Sequence, residues 1–217
     1  TLPTCASRAC DRMPVEAKIM VMGCPGVGKS SLIAQLVTGD PDTNCSAQTQ
    51  TTFTLGTKQI SLKLLDIAGK DLLSVKAKTY GRTVQGVVFV YDVTQEKTLK
   101  QLSQAIGMVR SANAKVPMAL VGNKNDLRRR VRQSDAEQMA SLHGIPLFDV
   151  SATDIMAVKG AFKGLLEEIY PDGNVEAAQA KPAARHRGGY DEAPDGDEDE
   201  DGDDDVGRVR VLGPLNW

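Results

Sequence analysis

Residues 23–30 read Gly23-Cys24-Pro25-Gly26-Val27-Gly28-Lys29-Ser30. The apolar run Lys18–Met22 leads into this stretch, and Lys29–Thr38 leaves it with helical spacing. That is GxxxxGK[ST] in the strand-to-helix setting the motif requires. Glycine lets the backbone curl so that successive N–H groups face phosphate oxygens. The positive end of the helix dipole adds to the attraction. Gly23, Gly26, Val27, Gly28, Lys29, Ser30 and Ser31 are therefore the candidate phosphate-binding residues. Lys29 is expected to reach the β- and γ-phosphates, and the Ser30 hydroxyl to ligate Mg²⁺. The loop implies a nucleoside triphosphate without saying which base, since a small-molecule kinase or an ATPase carries it too.

Outward from the loop, short apolar runs alternate with amphipathic stretches. Strands are predicted at Lys18–Met22, Ile60–Asp66, Val87–Asp92, Met118–Gly122 and Leu147–Ser151. Helices are predicted at Lys29–Thr38, Thr98–Ser111, Ser134–His143 and Ile155–Tyr170. Strands apolar throughout and separated by helices argue for a parallel sheet covered on both faces. Thr51–Leu55 alternates and precedes Ile60 by a short turn, so it reads as an antiparallel hairpin partner. The expected fold is α/β, a doubly wound, mostly parallel six-stranded sheet with helices on both faces.

The 217 residues suit one domain with extensions: 1–14 before it, 15–172 as the domain, and 173–217 as an acidic tail. The tail holds 12 of the 28 acids and only 5 of the 26 basic residues, which leaves the domain mildly basic. Its run DEAPDGDEDEDGDDD repels itself and has little apolar surface to bury, so disorder is the expectation there. Aromatics are 4% of the chain, too few for a base-stacking platform, and no nucleic-acid partner is expected. No signal-peptide pattern or bilayer-length apolar run is present. Cys5, Cys10, Cys24 and Cys45 form no CxxC pair and read as reduced thiols of a cytoplasmic protein.

Asn123-Lys124-Asn125-Asp126 closes the run Met118–Gly122. The Asp126 carboxylate can accept from guanine N1–H and from the exocyclic amino group, donors that adenine does not offer there. Asn123 tethers the loop and the Lys124 stem can lie along the purine. Ser151-Ala152-Thr153 closes the next strand, where the Ala152 N–H is placed to donate to guanine O6. Each short motif is weak alone, but together and downstream of a phosphate loop they specify guanine. Asp66-Ile67-Ala68-Gly69 ends another strand as DxxG, with Asp66 holding Mg²⁺ through water and the Gly69 N–H meeting the γ-phosphate.

With these motifs, the chain resembles the Rab branch of the Ras superfamily from about Ala17 to Tyr170. The run DIAGKDLLSVKAKTYGRTVQGVVFVYDVT, Asp66–Thr94, follows the Rab pattern without a gap. The resemblance implies a GTP/GDP switch with an exchange factor, a GTPase-activating protein and effectors. These would meet the protein through residues 40–52 and 67–82.

Four departures stand out. Lys70 occupies the place of the water-positioning glutamine, and an ammonium has no acceptor to offer that water. Rab-like proteins of intraflagellar transport depart there too, so vesicle membranes and the cilium are both expected destinations. Pro25 stands at a glycine position of the Ras loop. The first switch aligns poorly: the Mg²⁺-ligating threonine counts to Thr49 from Ser30, but nearer Thr43 from Asp66, with Thr51 and Thr52 beside them. Thr49 is the choice carried forward. Finally, the sequence ends Leu215-Asn216-Trp217 with no terminal cysteine, so no C-terminal lipid anchor is expected.

The leading reading is a slow GTPase acting as a switch in intracellular transport. The alternative is a GTP-loaded interaction subunit with little or no hydrolysis, favoured by Lys70 and by the absent anchor. A small-molecule kinase fits poorly, because Asp126 selects guanine and no acceptor site or lid is evident.

Overall fold

The computed structural model describes residues 15–171. The expected N-terminal extension, the acidic tail and the question of a lipid anchor lie outside those residues. The chain order is β1 (Val15–Gly23), α1 (Lys29–Thr38), β2 (Gln48–Leu55) and β3 (Lys58–Asp66). A single 3-10 turn (Gly69–Asp71) follows, then α2 (Val75–Gly81), β4 (Gly86–Asp92) and α3 (Glu96–Ala112). The domain closes with β5 (Met118–Asn123), α4 (Gln133–His143), β6 (Leu147–Asp149) and α5 (Ile155–Ile169).

The six strands form one sheet in the order β2-β3-β1-β4-β5-β6. All pairs are parallel except β2 with β3, whose antiparallel ladder runs from Gln48↔Leu65 to Leu55↔Lys58. β4 and β5 are buried at every position, as central strands covered on both faces must be. α1 packs with α5, while α3 packs with α2 and α4, giving the two helical layers. α3 turns Leu99, Leu102, Ala105, Ile106 and Val109 inward, and α5 turns Val158, Ala161, Phe162, Leu165 and Leu166. Each of the Leu, Ile, Val and Phe side chains among them contributes roughly 1.5–3 kcal/mol when fully buried. A slip of one residue would expose the whole stripe, so register is strongly fixed.

β1 has β3 on one side and β4 on the other. The chain runs from β1 to β2 and β3 on one side, then crosses from β3 to β4 on the other, which opens a crevice beyond the carboxyl ends of the strands. Residues 24–28, 67–69, 124–126 and 151–153 all follow such ends.

The sequence reading missed α2. Its seven residues hold only Ala77 and Gly81 buried, so no apolar stripe marks it. Its start is set by Ser74, whose hydroxyl accepts from the Ala77 N–H. β2 begins three residues before the expected Thr51, because the hairpin ladder continues through polar residues that carry no apolar signal. β6 stops at Asp149 instead of Ser151, since Ser151 turns back to bond Asp126. Among the described residues no helix is long and apolar enough to cross a membrane.

Candidate functional site

Gly28 caps α1 in the left-handed region, φ 92°, and Gly26 shares it at φ 76°. A Cβ on Gly28 would also collide with the Asn123 carboxamide. Both constraints leave glycine as the residue for that position. Lys29 is buried, and its ammonium bends back across the loop to donate to the Cys24 carbonyl at 3.0 Å. Burial holds its pKa below the ordinary lysine value, with Asp66 and Cys24 opposing that shift. A cation and a curl of amides thus converge on one concavity, the arrangement that receives an anion. Val27 is buried beneath the loop, whereas Ser30 is exposed and Ser31 half-exposed at the start of α1. The Cys24 thiol lies in the core and donates to Gln101 Oε1 at 2.7 Å. Its pKa is raised by burial, which suits a packed, unreactive thiol.

The Ser30 hydroxyl donates to Asp66 Oδ2 at 2.5 Å. Asp66 Oδ1 is buried and has no hydrogen-bond partner among the described residues. A hydroxyl beside a carboxylate with one oxygen to spare is a hard-oxygen donor set. It fits Mg²⁺, which prefers one or two protein oxygens and completes its shell with water and phosphate oxygens.

Thr49 is not brought to this pair. It is the second residue of β2, opposite Leu64, and its hydroxyl donates to the Ser46 carbonyl at 3.0 Å. Thr51 and Thr52 are likewise held in the ladder, opposite Leu62 and Ser61. The early start of β2 carries Thr49, the residue chosen from the sequence, into the sheet. Thr43 alone of the four lies in the loop before β2, exposed, with its hydroxyl 3.3 Å from Asp40 Oδ2. Gly69 packs directly against Pro25 of the phosphate loop. Lys70 follows it in the 3-10 turn, exposed and without an ion pair or hydrogen bond among the described residues.

Asn123 joins three loops. It is 1% exposed, its nitrogen donates to the Val27 carbonyl at 2.9 Å, and its oxygen accepts from the Ala152 N–H at 3.0 Å. That amide, expected to serve guanine O6, is therefore engaged by Asn123, the nearest acceptor. Lys124 adopts a left-handed backbone, φ 67°, and its ammonium donates to the Gly26 carbonyl at 2.9 Å and to Asp92 Oδ2 at 2.5 Å. Its stem thus runs from the base-reading loop to the phosphate loop. Asp126 is exposed and accepts from Ser151 Oγ at 2.6 Å through Oδ1. Thr153 completes the turn, its N–H 3.3 Å from Ser151 Oγ.

Asp92 was not among the residues singled out for the site. It is fully buried, and burial pushes its carboxyl up, but bonds from Lys124 and Thr94 outweigh that and hold the pKa below the ordinary value. The available signal was a charged residue closing a strand apolar everywhere else, GVVFVYD. A groove of about 390 Å³ lies away from these loops. Gln48 and Gln50 of β2, Leu65 of β3, and Tyr80 and Thr83 at the end of α2 line it.

The description of the Ras family matches residues 18–171. Ras-related protein Rab-13 of Bos taurus is 31% identical over 160 residues, spanning 70% of this chain and 79% of the relative. The Rab-13 of Mesocricetus auratus is similar to the same degree, 31% over 160 residues with the same coverage. The chain belongs to the Ras family. It is a Rab-like small GTPase, a GTP-binding protein whose sheet order and loop placement are those of the Ras-like P-loop fold. The ciliary alternative gains no support from these relatives.

Proposed function

We propose that this Rab-like chain is a slow GTPase that works as a regulatory switch in vesicle transport, in the cytoplasm and on membranes to which partners recruit it. The observation that carries the reading is Asn123, which ties the phosphate loop to both base-reading loops. Such a junction couples the base to the phosphates, as a nucleotide switch needs. Asp126 accepts from guanine and thereby selects it over adenine. Lys29 holds the β- and γ-phosphates, and loop amides from residues 26–30 offset the charge that grows as water attacks the γ-phosphate. Bound Mg²⁺ supplies further neutralisation of the phosphates, held by Ser30 and, through water, by Asp66. Thr43 is the first-switch threonine we assign to that site, because it is free of the β2 ladder.

Effectors, an exchange factor and a GTPase-activating protein would meet residues 40–52 and 67–82. The groove between β2 and α2 supports this, since it joins the two segments in one surface. A second reading, a GTP-loaded subunit with hardly any hydrolysis, rests on Lys70, which stands exposed where a water-positioning side chain is needed. The test is nucleotide analysis of the purified full chain, followed by single-turnover GTP hydrolysis. GTP and GDP bound far above ATP, with slow conversion, supports the first reading. No measurable conversion supports the second. Equal affinity for ATP and GTP sinks both.

A further inference from the structure

Behind the base-reading loops, three polar side chains from different elements meet around Gly122 of β5. A Cβ on Gly122 would lie 2.6 Å from Tyr91 Oη and 2.6 Å from Asp149 Oδ1, so both oxygens press on its bare Cα. Both are buried and neither has a hydrogen bond among the described residues. Arg129 closes the set from the loop after β5. Its Nη2 lies 2.8 Å from Asp149 Oδ1 as an ion pair that lacks hydrogen-bond alignment. The same guanidinium donates to Asn125 Oδ1 at 3.2 Å and to Gln133 Oε1 at 2.6 Å.

The connectivity gives the set its meaning. Asn125 lies inside the loop that carries Asp126, and Asp149 ends the strand that leads to Ser151 and Ala152. Arg129 therefore spans the two loops from behind, while the Asp126–Ser151 and Asn123–Ala152 bonds span them in front. Tyr91 stands next to Asp92, the anchor of Lys124, so the end of β4 supports both loops. Burial and Asp149 push the Tyr91 phenol up to about 12, which keeps it a neutral donor at any working pH. Asp149 Oδ1, already ion-paired with Arg129, is the acceptor within its reach. Buried polar groups must be compensated, and Arg129 offsets the Asp149 charge here, so the three side chains stand or fall as one set.

We propose that Arg129, Asp149 and Tyr91 are positioning residues for guanine selectivity, setting the spacing at which Asp126 accepts two donors at once. The inference rests on the guanine reading above. Its physical content is differential. Inosine diphosphate lacks the exocyclic amino group, so it has already lost one of the two bonds. Loosening the loops must therefore weaken GDP more than IDP, whereas mere destabilisation of the domain speeds release of both alike.

The experiment measures dissociation of GDP and of IDP from the full chain, from Arg129→Ala and from Tyr91→Phe, with Mg²⁺ held constant. Tyr91→Phe keeps the packing and serves if Arg129→Ala folds poorly. Arg129→Ala is expected to release GDP roughly tenfold faster, the scale of a severed, partly buried ion pair, with the GDP-over-IDP preference falling severalfold. Tyr91→Phe should move the preference in the same direction by less. Arg129→Lys should restore part of it, because an ammonium keeps the ion pair but not the three-way fork. Variants that speed both nucleotides equally, or leave both unchanged, overturn the proposal. A parent chain that does not distinguish GDP from IDP overturns the guanine assignment itself, and the proposal with it.

Discussion

Asn123 and Val27 lie 96 residues apart in sequence, and the Asn123 carboxamide nitrogen donates to the Val27 carbonyl at 2.9 Å. The same side chain accepts from the Ala152 N–H, so one buried amide satisfies groups on two other loops. A loop that moves on losing its phosphates therefore moves the base site too. Gly28 makes the bond possible, because any side chain there would occupy the space of the carboxamide.

Asn123→Ala should consequently speed nucleotide release for every guanine nucleotide. The change leaves a carbonyl and an N–H without their partner, at about 1–3 kcal/mol for each buried group left unsatisfied. Release of GDP is expected to accelerate by at least roughly tenfold to a hundredfold, the equivalent of one such group at about 1.4 kcal/mol per decade. Dissociation of a fluorescent GDP analogue measures it. An unchanged rate would show that the three loops are held independently.

The Ser30–Asp66 contact predicts how release depends on the metal. Chelation of Mg²⁺ should accelerate nucleotide release from the parent, because the phosphates lose their shared counter-ion. In Ser30→Ala the acceleration should be much smaller, since the metal is already poorly held, and retention of GTP should suffer more than that of GDP. Release rates with and without chelator, for both proteins, decide the matter. Equal sensitivity to chelation in the two proteins means that Ser30 is not a ligand.

Asp92 gives a pH-dependent prediction. Its carboxyl is held below its ordinary pKa by Lys124 and Thr94, against the upward push of burial. A depressed carboxyl stabilises the fold above its unfolded-state pKa, and that contribution disappears as pH falls through the folded value. The parent should therefore lose more stability on acidification from neutrality to below the ordinary carboxylate range than Asp92→Asn does. At neutral pH Asp92→Asn should be less stable and should release nucleotide faster, because Lys124 loses its anchor. Parallel pH–stability curves for the two proteins, from denaturant unfolding, would rule this out.

How much of this was legible in the sequence depended on what each element advertises. The apolar runs of β1, β4 and β5, and the striped helices α3 and α5, announce themselves by hydrophobic pattern, and Lys29 and Asp126 by fixed spacing from glycines and from Asn123. The first switch does not. Residues 40–52 are mostly polar, so nothing in them marks where the loop ends and the ladder of β2 begins. The place of Thr49 follows from a register set by the hairpin turn several residues away, which no local pattern shows. α2 was invisible because it packs through only Ala77 and Gly81. The support beneath the base site, Asp92 with Tyr91, Arg129 and Asp149, comes from two strands and a loop. No local spacing can reveal a cluster that only the strand order brings together.

Lys70 yields the sharpest test of catalysis. Its position follows Gly69, which rests on Pro25 of the phosphate loop, so its side chain starts beside that loop. Activating a water there requires one group that both accepts and donates; lysine only donates. It can still offset γ-phosphate charge, which favours retaining GTP more than cleaving it. Unaided turnover by Ras, which carries the glutamine, is already slow, on the order of 10⁻⁴ per second. The parent protein should fall at or below that order. Lys70→Gln should be faster, and Lys70→Ala should not, since alanine restores no acceptor. Single-turnover GTP hydrolysis at saturating Mg²⁺ compares the three. If the parent turns over rapidly unaided, or if Lys70→Gln gains nothing over it, some other residue positions the water, and the case for a GTP-loaded, barely hydrolysing subunit loses its foundation.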